Sequence, residues 1–133
     1  MQLNITTDYA TRIMVYLGRA TVRCNVNEIS DAMDIPLNNA RRIMQLLKKS
    51  GLVKPVSGKG GGYTLGKSVE NITLLDIMTA IDDTLMFGGN VENYYDPAYT
   101  ESHIIGTVFG RIRSFLETEL SLTLAQLIEG YSL

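Results

Sequence analysis

Between Asn38 and Lys49 every polar side chain is an amide or a cation: Asn38, Asn39, Arg41, Arg42, Gln45, Lys48 and Lys49, with no carboxylate among them. A solvated helix face ordinarily mixes signs and gains i,i+4 pairs. Amide and cationic donors alone are the set that meets guanine O6/N7, adenine N6/N7 and phosphate oxygens. Shortly after comes Ser57-Gly58-Lys59-Gly60-Gly61-Gly62, a glycine loop with one lysine. A phosphate-binding loop would need Gly-Lys-Ser/Thr opening a helix, whereas these glycines lead into a β-type run. The sequence offers no nucleophile–base pair: Cys24 is the only cysteine, His103 the only histidine, and no acids cluster on the glycine loop. The chain therefore reads as a polyanion binder and not as an enzyme.

The elements that must position these residues follow from periodicity. Tyr9, Ala10, Ile13, Met14 and Leu17 form one apolar stripe and predict a helix over Thr7 to Ala20. Asn25, with Glu28 three residues on, predicts a capped second helix through Met33 with Ile29, Ala32 and Met33 inward. Asp34-Ile35-Pro36 reads as a turn, with Pro36 suited to the first position of the next helix. That helix extends to about Ser50, stopped by Gly51, with Leu37, Ala40, Ile43, Met44 and Leu47 inward. Leu52 to Val56 and Tyr63 to Leu65 predict a hairpin with a cationic tip. Thr73, with Asp76, caps a fourth helix whose apolar side is Leu74, Ile77, Met78 and Ile81. A long helix is expected over His103 to Leu120, and a short one over Thr123 to Glu129.

A helix followed by a basic hairpin is the arrangement of a winged helix-turn-helix, with the helix in the major groove and the hairpin on the backbone or minor groove. The expected fold is mainly α with a small β-hairpin. Three regions follow: a winged helix-turn-helix at 1–83, a sensor loop at 84–102, and a dimerisation helix with a terminal helix at 103–133. The net charge of −2 conceals a split. Residues 1–67 hold ten Lys/Arg and four Asp/Glu, whereas residues 68–133 hold two and ten. This suggests one polyanion-facing half and one turned away. No apolar run is long enough to span a membrane and no signal peptide is visible. A single cysteine fits a reducing cytoplasm.

On the long helix Ile105, Val108, Ile112 and Phe115 make a coiled-coil-like stripe, and Ile104, Phe109, Leu116 and Leu120 a second. Two apolar sides need two burial surfaces, so a homodimer through Ile105, Val108, Phe109, Ile112, Phe115 and Leu116 is expected.

The order Glu28-Ile29, Ile35-Pro36-Leu37, Gly51-Leu52-Val53, Gly58 through Gly60-Gly61-Gly62-Tyr63 and Ile72-Thr73-Leu74-Leu75-Asp76-Ile77 resembles the Rrf2 family of bacterial transcription regulators. The likeness covers the whole chain. It implies a homodimer, usually a repressor, on a pseudo-palindromic double-stranded DNA operator. By position it implies base reading by Asn38, Asn39, Arg41 and Arg42, supported by Gln45 and Lys48. Gln2, Thr6, Thr7 and Tyr9 would meet phosphates, and the wing tip (Ser57, Lys59, Gly60) would enter the minor groove. The chain departs from the family pattern in three places. Ser57 stands where many members have arginine, and Arg41 where members often have an acid. The three cysteines that hold an iron–sulfur cluster in many members have no counterpart in 84–103. No cofactor is therefore expected, and the chain resembles the cluster-free branch, which answers to a protein or another signal. The alternative is a winged-helix module that acts through a partner protein.

Met86, Tyr94, Tyr95, Tyr99 and His103 mark the candidate region for a small-molecule or protein effector, although packing of a long loop explains the tyrosines equally well. His103 with Asp96 and Glu101 is a weak metal signal, better read as a polar helix cap. Cys24 would be redox-active if Arg19 or Arg23 stabilised its thiolate, and is otherwise a plain loop thiol.

Overall fold

A computed structural model describes residues 4–20, 22–82 and 100–130, the last segment with side chains from 104 onward. In chain order the elements are α1 (Ile5–Arg19), α2 (Val26–Met33), α3 (Leu37–Lys49), β1 (Val53–Val56), β2 (Gly62–Leu65) and a 3₁₀ turn (Val69–Asn71). Then come α4 (Leu74–Ile81), α5 (Thr100–Glu119) and α6 (Leu124–Glu129). The fold is mainly helical, with a two-stranded antiparallel sheet among the described residues.

Local capping chemistry sets the helix ends. Asn4 caps α1 by accepting from the Thr7 N–H at 3.1 Å, so α1 starts at Ile5, two residues before the apolar stripe suggests. Asn25 accepts from the Glu28 N–H at 2.9 Å, as expected, but Glu28 answers through the Asn25 side-chain amide, also at 2.9 Å. Pro36 is the cap of α3 and not its first residue; with no side-chain bond to offer, it contributes its fixed φ of −53°. At the other end of α3 the Gly51 N–H donates to Lys48 O and the Leu52 N–H to Leu47 O, both at 3.0 Å. With Gly51 at φ +79° this is a Schellman stop, and it turns the chain into the hairpin. Thr73 and Asp76 form a full capping box on α4.

The core lies where α1, α3 and α4 meet. Ile13, Met14, Ile43, Met44, Leu47, Ile77 and Met78 are all fully buried. Each such side chain contributes roughly 1.5–3 kcal/mol by leaving water. Ala32, expected inward, is exposed, and α2 relies on Ile29 and Ser30 for its buried side. The terminal helix also packs here. Leu124 is fully buried, its N–H donates to Ile72 O at 2.7 Å, and Arg19 Nη2 donates to Ile128 O at 3.3 Å.

In the hairpin Val53 pairs with Leu65 and Val56 with Gly62. Across β2 from β1, Cys24 adds a single antiparallel bridge to Tyr63, with bonds of 3.1 and 2.8 Å. Because Tyr63 turns its backbone groups to Cys24, its β1 neighbour Pro55 occupies a non-bonded pair where a missing N–H costs nothing. Gly62 permits the approach: a Cβ there would lie 2.6 Å from Cys24 O.

α5 differs from the other described helices. Ile104, Ile105, Val108, Phe109, Ile112 and Phe115 are exposed; Val108 stands at 48% and Phe115 at 64%. At about 100° per residue the two expected stripes merge into one broad apolar sector. The helix is anchored where it ends. The Leu75 N–H donates to Leu120 O at 2.9 Å and the Leu74 N–H to Leu122 O at 2.8 Å, so the start of α4 holds the exit of α5.

Candidate nucleic-acid interface

α3 presents Asn38, Arg41, Arg42, Gln45, Lys48 and Lys49 to solvent, with Asn39 half-buried. The opposite side of the same helix holds the buried Ala40, Ile43, Met44 and Leu47, so core packing fixes which face looks out. Among the described residues the ion pairs are Arg12–Asp8 and Arg113–Glu117, and neither draws a cation from this face.

Two side chains fasten the C-terminal end of α2, one to the turn before α3 and one to α1. Ser30 Oγ donates to Ile35 O at 2.6 Å from inside the protein. Arg12 Nη1 donates to Met33 O at 3.0 Å, while its Nε and Nη2 grip Asp8 at 2.9 and 2.6 Å. The Arg12 guanidinium also lies 5.1 Å over the Tyr9 ring. Local spacing pairs Arg12 with Asp8 but gives no sign of the bond to Met33, which belongs to another helix.

At the start of α1, Thr6 is half-buried and its hydroxyl accepts from Arg42 Nη2 at 3.4 Å. Thr7, expected on a phosphate, is only 7% exposed, and its hydroxyl turns to Asn4 Oδ1 at 3.4 Å. It belongs to the helix cap and not to the surface. Gln2 lies outside the described residues.

At the wing, Ser57, Gly58, Lys59 and Gly60 are exposed. The Gly61 N–H donates to Gly58 O at 2.9 Å and closes the tip. A second cation reaches this tip from elsewhere in the chain: Arg23 Nη2 donates to Lys59 O at 2.8 Å. Its neighbour Cys24 is 3% exposed, and its Sγ donates to Val22 O at 3.5 Å. Burial pushes the Cys24 thiol pKa up, and the nearby Glu28 charge adds to the rise. The thiolate stabilisation that a redox role would require is therefore missing.

Met86, Tyr94, Tyr95 and Tyr99 lie outside the described residues. His103 falls within α5, with its side chain also outside them.

The arrangement has relatives. The Rrf2 family model, iron-dependent transcriptional regulator, matches residues 3–130. This chain belongs to the Rrf2 family. Among solved structures, CymR, the global cysteine regulator of B. subtilis, is similar with a TM-score of 0.75 and 24% identity, each chain covered to 99%. T. potens IscR is similar at a TM-score of 0.73 and 21% identity, over 99% of this chain and 89% of that one. The oxidised form of Staphylococcus aureus CymR matches at a TM-score of 0.71 and 20% identity, over the full length of both. At these identities the likeness is one of fold, the winged helix with its long helix.

The Rrf2 chain described here is thus a transcriptional regulator in family and not an enzyme. Its donor set does not fit an iron–sulfur cluster, which is held by several thiolates. The sequence holds one cysteine, and that one is buried against the wing. Among the described residues no group of three His, Cys, Asp or Glu stands together for a metal ion. No helix there is long and apolar enough to cross a membrane.

Proposed function

We propose that the chain works as a homodimer that represses transcription by binding a pseudo-palindromic operator. The observation that carries this reading is the exposed face of α3, which combines amide and cationic donors with no acid and, among the described residues, no ion pair. Asn38, Asn39, Arg41 and Arg42 read base edges, with Gln45 and Lys48 beside them. Thr6 and Tyr9 border the backbone, and the wing tip at Ser57, Lys59 and Gly60 follows the minor groove. Most of the affinity comes from phosphate neutralisation and falls steeply with salt.

The exposed apolar sector of α5 supports the dimer. Ile105, Val108, Phe109, Ile112 and Phe115, with the half-buried Leu116, form a surface that a lone soluble chain would leave wet. Two copies packed along it place two α3 helices on one duplex, as two-fold half-sites require. The single buried thiol supports signalling without an iron–sulfur cluster, through a small molecule or protein acting near Met86 to His103.

The test is a genomic-fragment selection with purified protein, run aerobically and anaerobically at two salt concentrations. One palindromic motif enriched in both atmospheres is the expected result. General, salt-sensitive binding with no motif would remove operator recognition from the reading.

A further inference from the structure

Arg23 stands apart from the reading surface in sequence and meets it in space. The Cys24–Tyr63 bridge pins this stretch alongside β2. Side chains alternate along extended backbone, so the buried Cys24 leaves its neighbour Arg23 facing solvent. From there the Arg23 guanidinium reaches the wing tip, where Nη2 donates to Lys59 O at 2.8 Å and lies near Gly60. The bond uses a backbone carbonyl, which any residue at 59 would provide.

One donor group of Arg23 is committed to that carbonyl. A guanidinium has five N–H donors in a rigid fork, so most remain unspent. Among the described residues no carboxylate lies within ion-pair distance of it. A guanidinium that is exposed, tethered through one nitrogen and unneutralised among the described residues, beside a lysine on a glycine tip, keeps N–H donors for an oxyanion that offers two acceptor oxygens, as a phosphodiester does.

We infer that Arg23 is a second DNA-contacting cation of the wing, one that grips a backbone phosphate flanking the groove the tip enters. The inference rests on the DNA-binding reading above and deepens it. Lys59 supplies a mobile point charge; Arg23 supplies an oriented fork from a different part of the chain. The wing is thus built from two segments, the hairpin and the α1–α2 connector.

The test compares wild type, Arg23→Gln, Arg23→Lys, Lys59→Ala and the Arg23→Gln/Lys59→Ala double variant. Fluorescence anisotropy on a labelled duplex recovered by the genomic selection, and on a scrambled duplex, is read across a salt series. Arg23→Gln should flatten the log K against log salt slope by about one on both duplexes. Its affinity deficit should shrink about eightfold between 0.1 and 1 M salt, as loss of one phosphate contact requires. Arg23→Lys keeps the charge and should keep the slope. Lys59→Ala retains the carbonyl that holds Arg23, so the double variant should flatten the slope by about two. A double variant no flatter than Lys59→Ala would reduce Arg23 to a strut for the tip and overturn the contact. An unchanged slope in Arg23→Gln, with wild type binding normally, overturns this inference alone. Wild type that binds neither duplex overturns the DNA-binding reading and this inference with it.

Discussion

Arg42 and Thr6 are joined side chain to side chain, Nη2 to Oγ1 at 3.4 Å, so the acid-free face of α3 is tied to the first turn of α1. The tether is long for a hydrogen bond, and Arg42 stays exposed. It biases the guanidinium toward one direction without consuming it. Arg42→Ala is expected to weaken operator binding by about 1–3 kcal/mol and to relax one base position. Binding to scrambled DNA should change less. Equal losses on both duplexes, measured by anisotropy at fixed salt, would reassign Arg42 to the phosphates. Thr6→Val removes the tether together with any hydroxyl contact to the DNA backbone, and its effect should stay within about 1–2 kcal/mol and be equal on operator and scrambled DNA.

Gly62 connects the wing to the body. A Cβ at this position would sit 2.6 Å from Cys24 O and 2.9 Å from Asn25 N, both of them backbone atoms that cannot swing aside. Gly62→Ala should therefore open the Cys24–Tyr63 bridge and destabilise the fold by about 1–3 kcal/mol. Thermal melts check the stability. Amide exchange at Tyr63 checks the cause: protection that survives in the variant would show that the bridge accommodates the methyl.

The parts of this fold that were readable in sequence are those governed by neighbours. Asn25 with Glu28, Thr73 with Asp76, the stop at Gly51 and the buried side of α3 all depend on residues within four positions of one another. The hairpin and its glycine tip are equally local. The misplaced residues depend on distant partners or on cap geometry. Thr7 is polar yet turns inward to Asn4, and Pro36 keeps a non-helical ψ of 132° while its carbonyl accepts from the Ala40 N–H, so it caps α3 instead of opening it. Arg12 on Met33, Arg23 on Lys59 and Arg19 on Ile128 join segments with no common period, so no pattern in the chain announces them. The acid-free exposed face of α3 was legible because the absence of carboxylates is compositional; the bonds around it were not, because they are tertiary.

Cys24 gives a prediction in pH. Its folded-state pKa is raised, first by burial and then by Glu28, so folding favours the protonated thiol. A raised value makes the stabilising contribution complete below the unfolded pKa of about 8.5 and progressively lost as pH rises above it. Denaturant midpoints of wild type should fall more between pH 8 and pH 10 than those of Cys24→Ala. Alkylation of the native thiol at pH 8 should also be at least about tenfold slower than in urea, in line with burial. Matching alkylation rates in the two states would mean that the connector opens readily and that the thiol is available to oxidants.

The exposed sector of α5 separates assembly from folding. Val108 and Ile112 are 48% and 43% exposed in the single chain, so a carboxylate at either position is solvated in a monomer. In a dimer packed on this sector the same carboxylates would be buried without partners, a cost of several kcal/mol for the pair. The Val108→Glu/Ile112→Glu double variant should therefore sediment as a folded monomer with an unchanged helical circular dichroism spectrum. Its affinity for a palindromic operator should fall far more than for a single half-site, because the two α3 helices are no longer linked. A variant that remains dimeric would shift the interface to the opposite side of α5, where Gly106, Gly110 and Ser114 lie, and would leave the apolar sector without a partner.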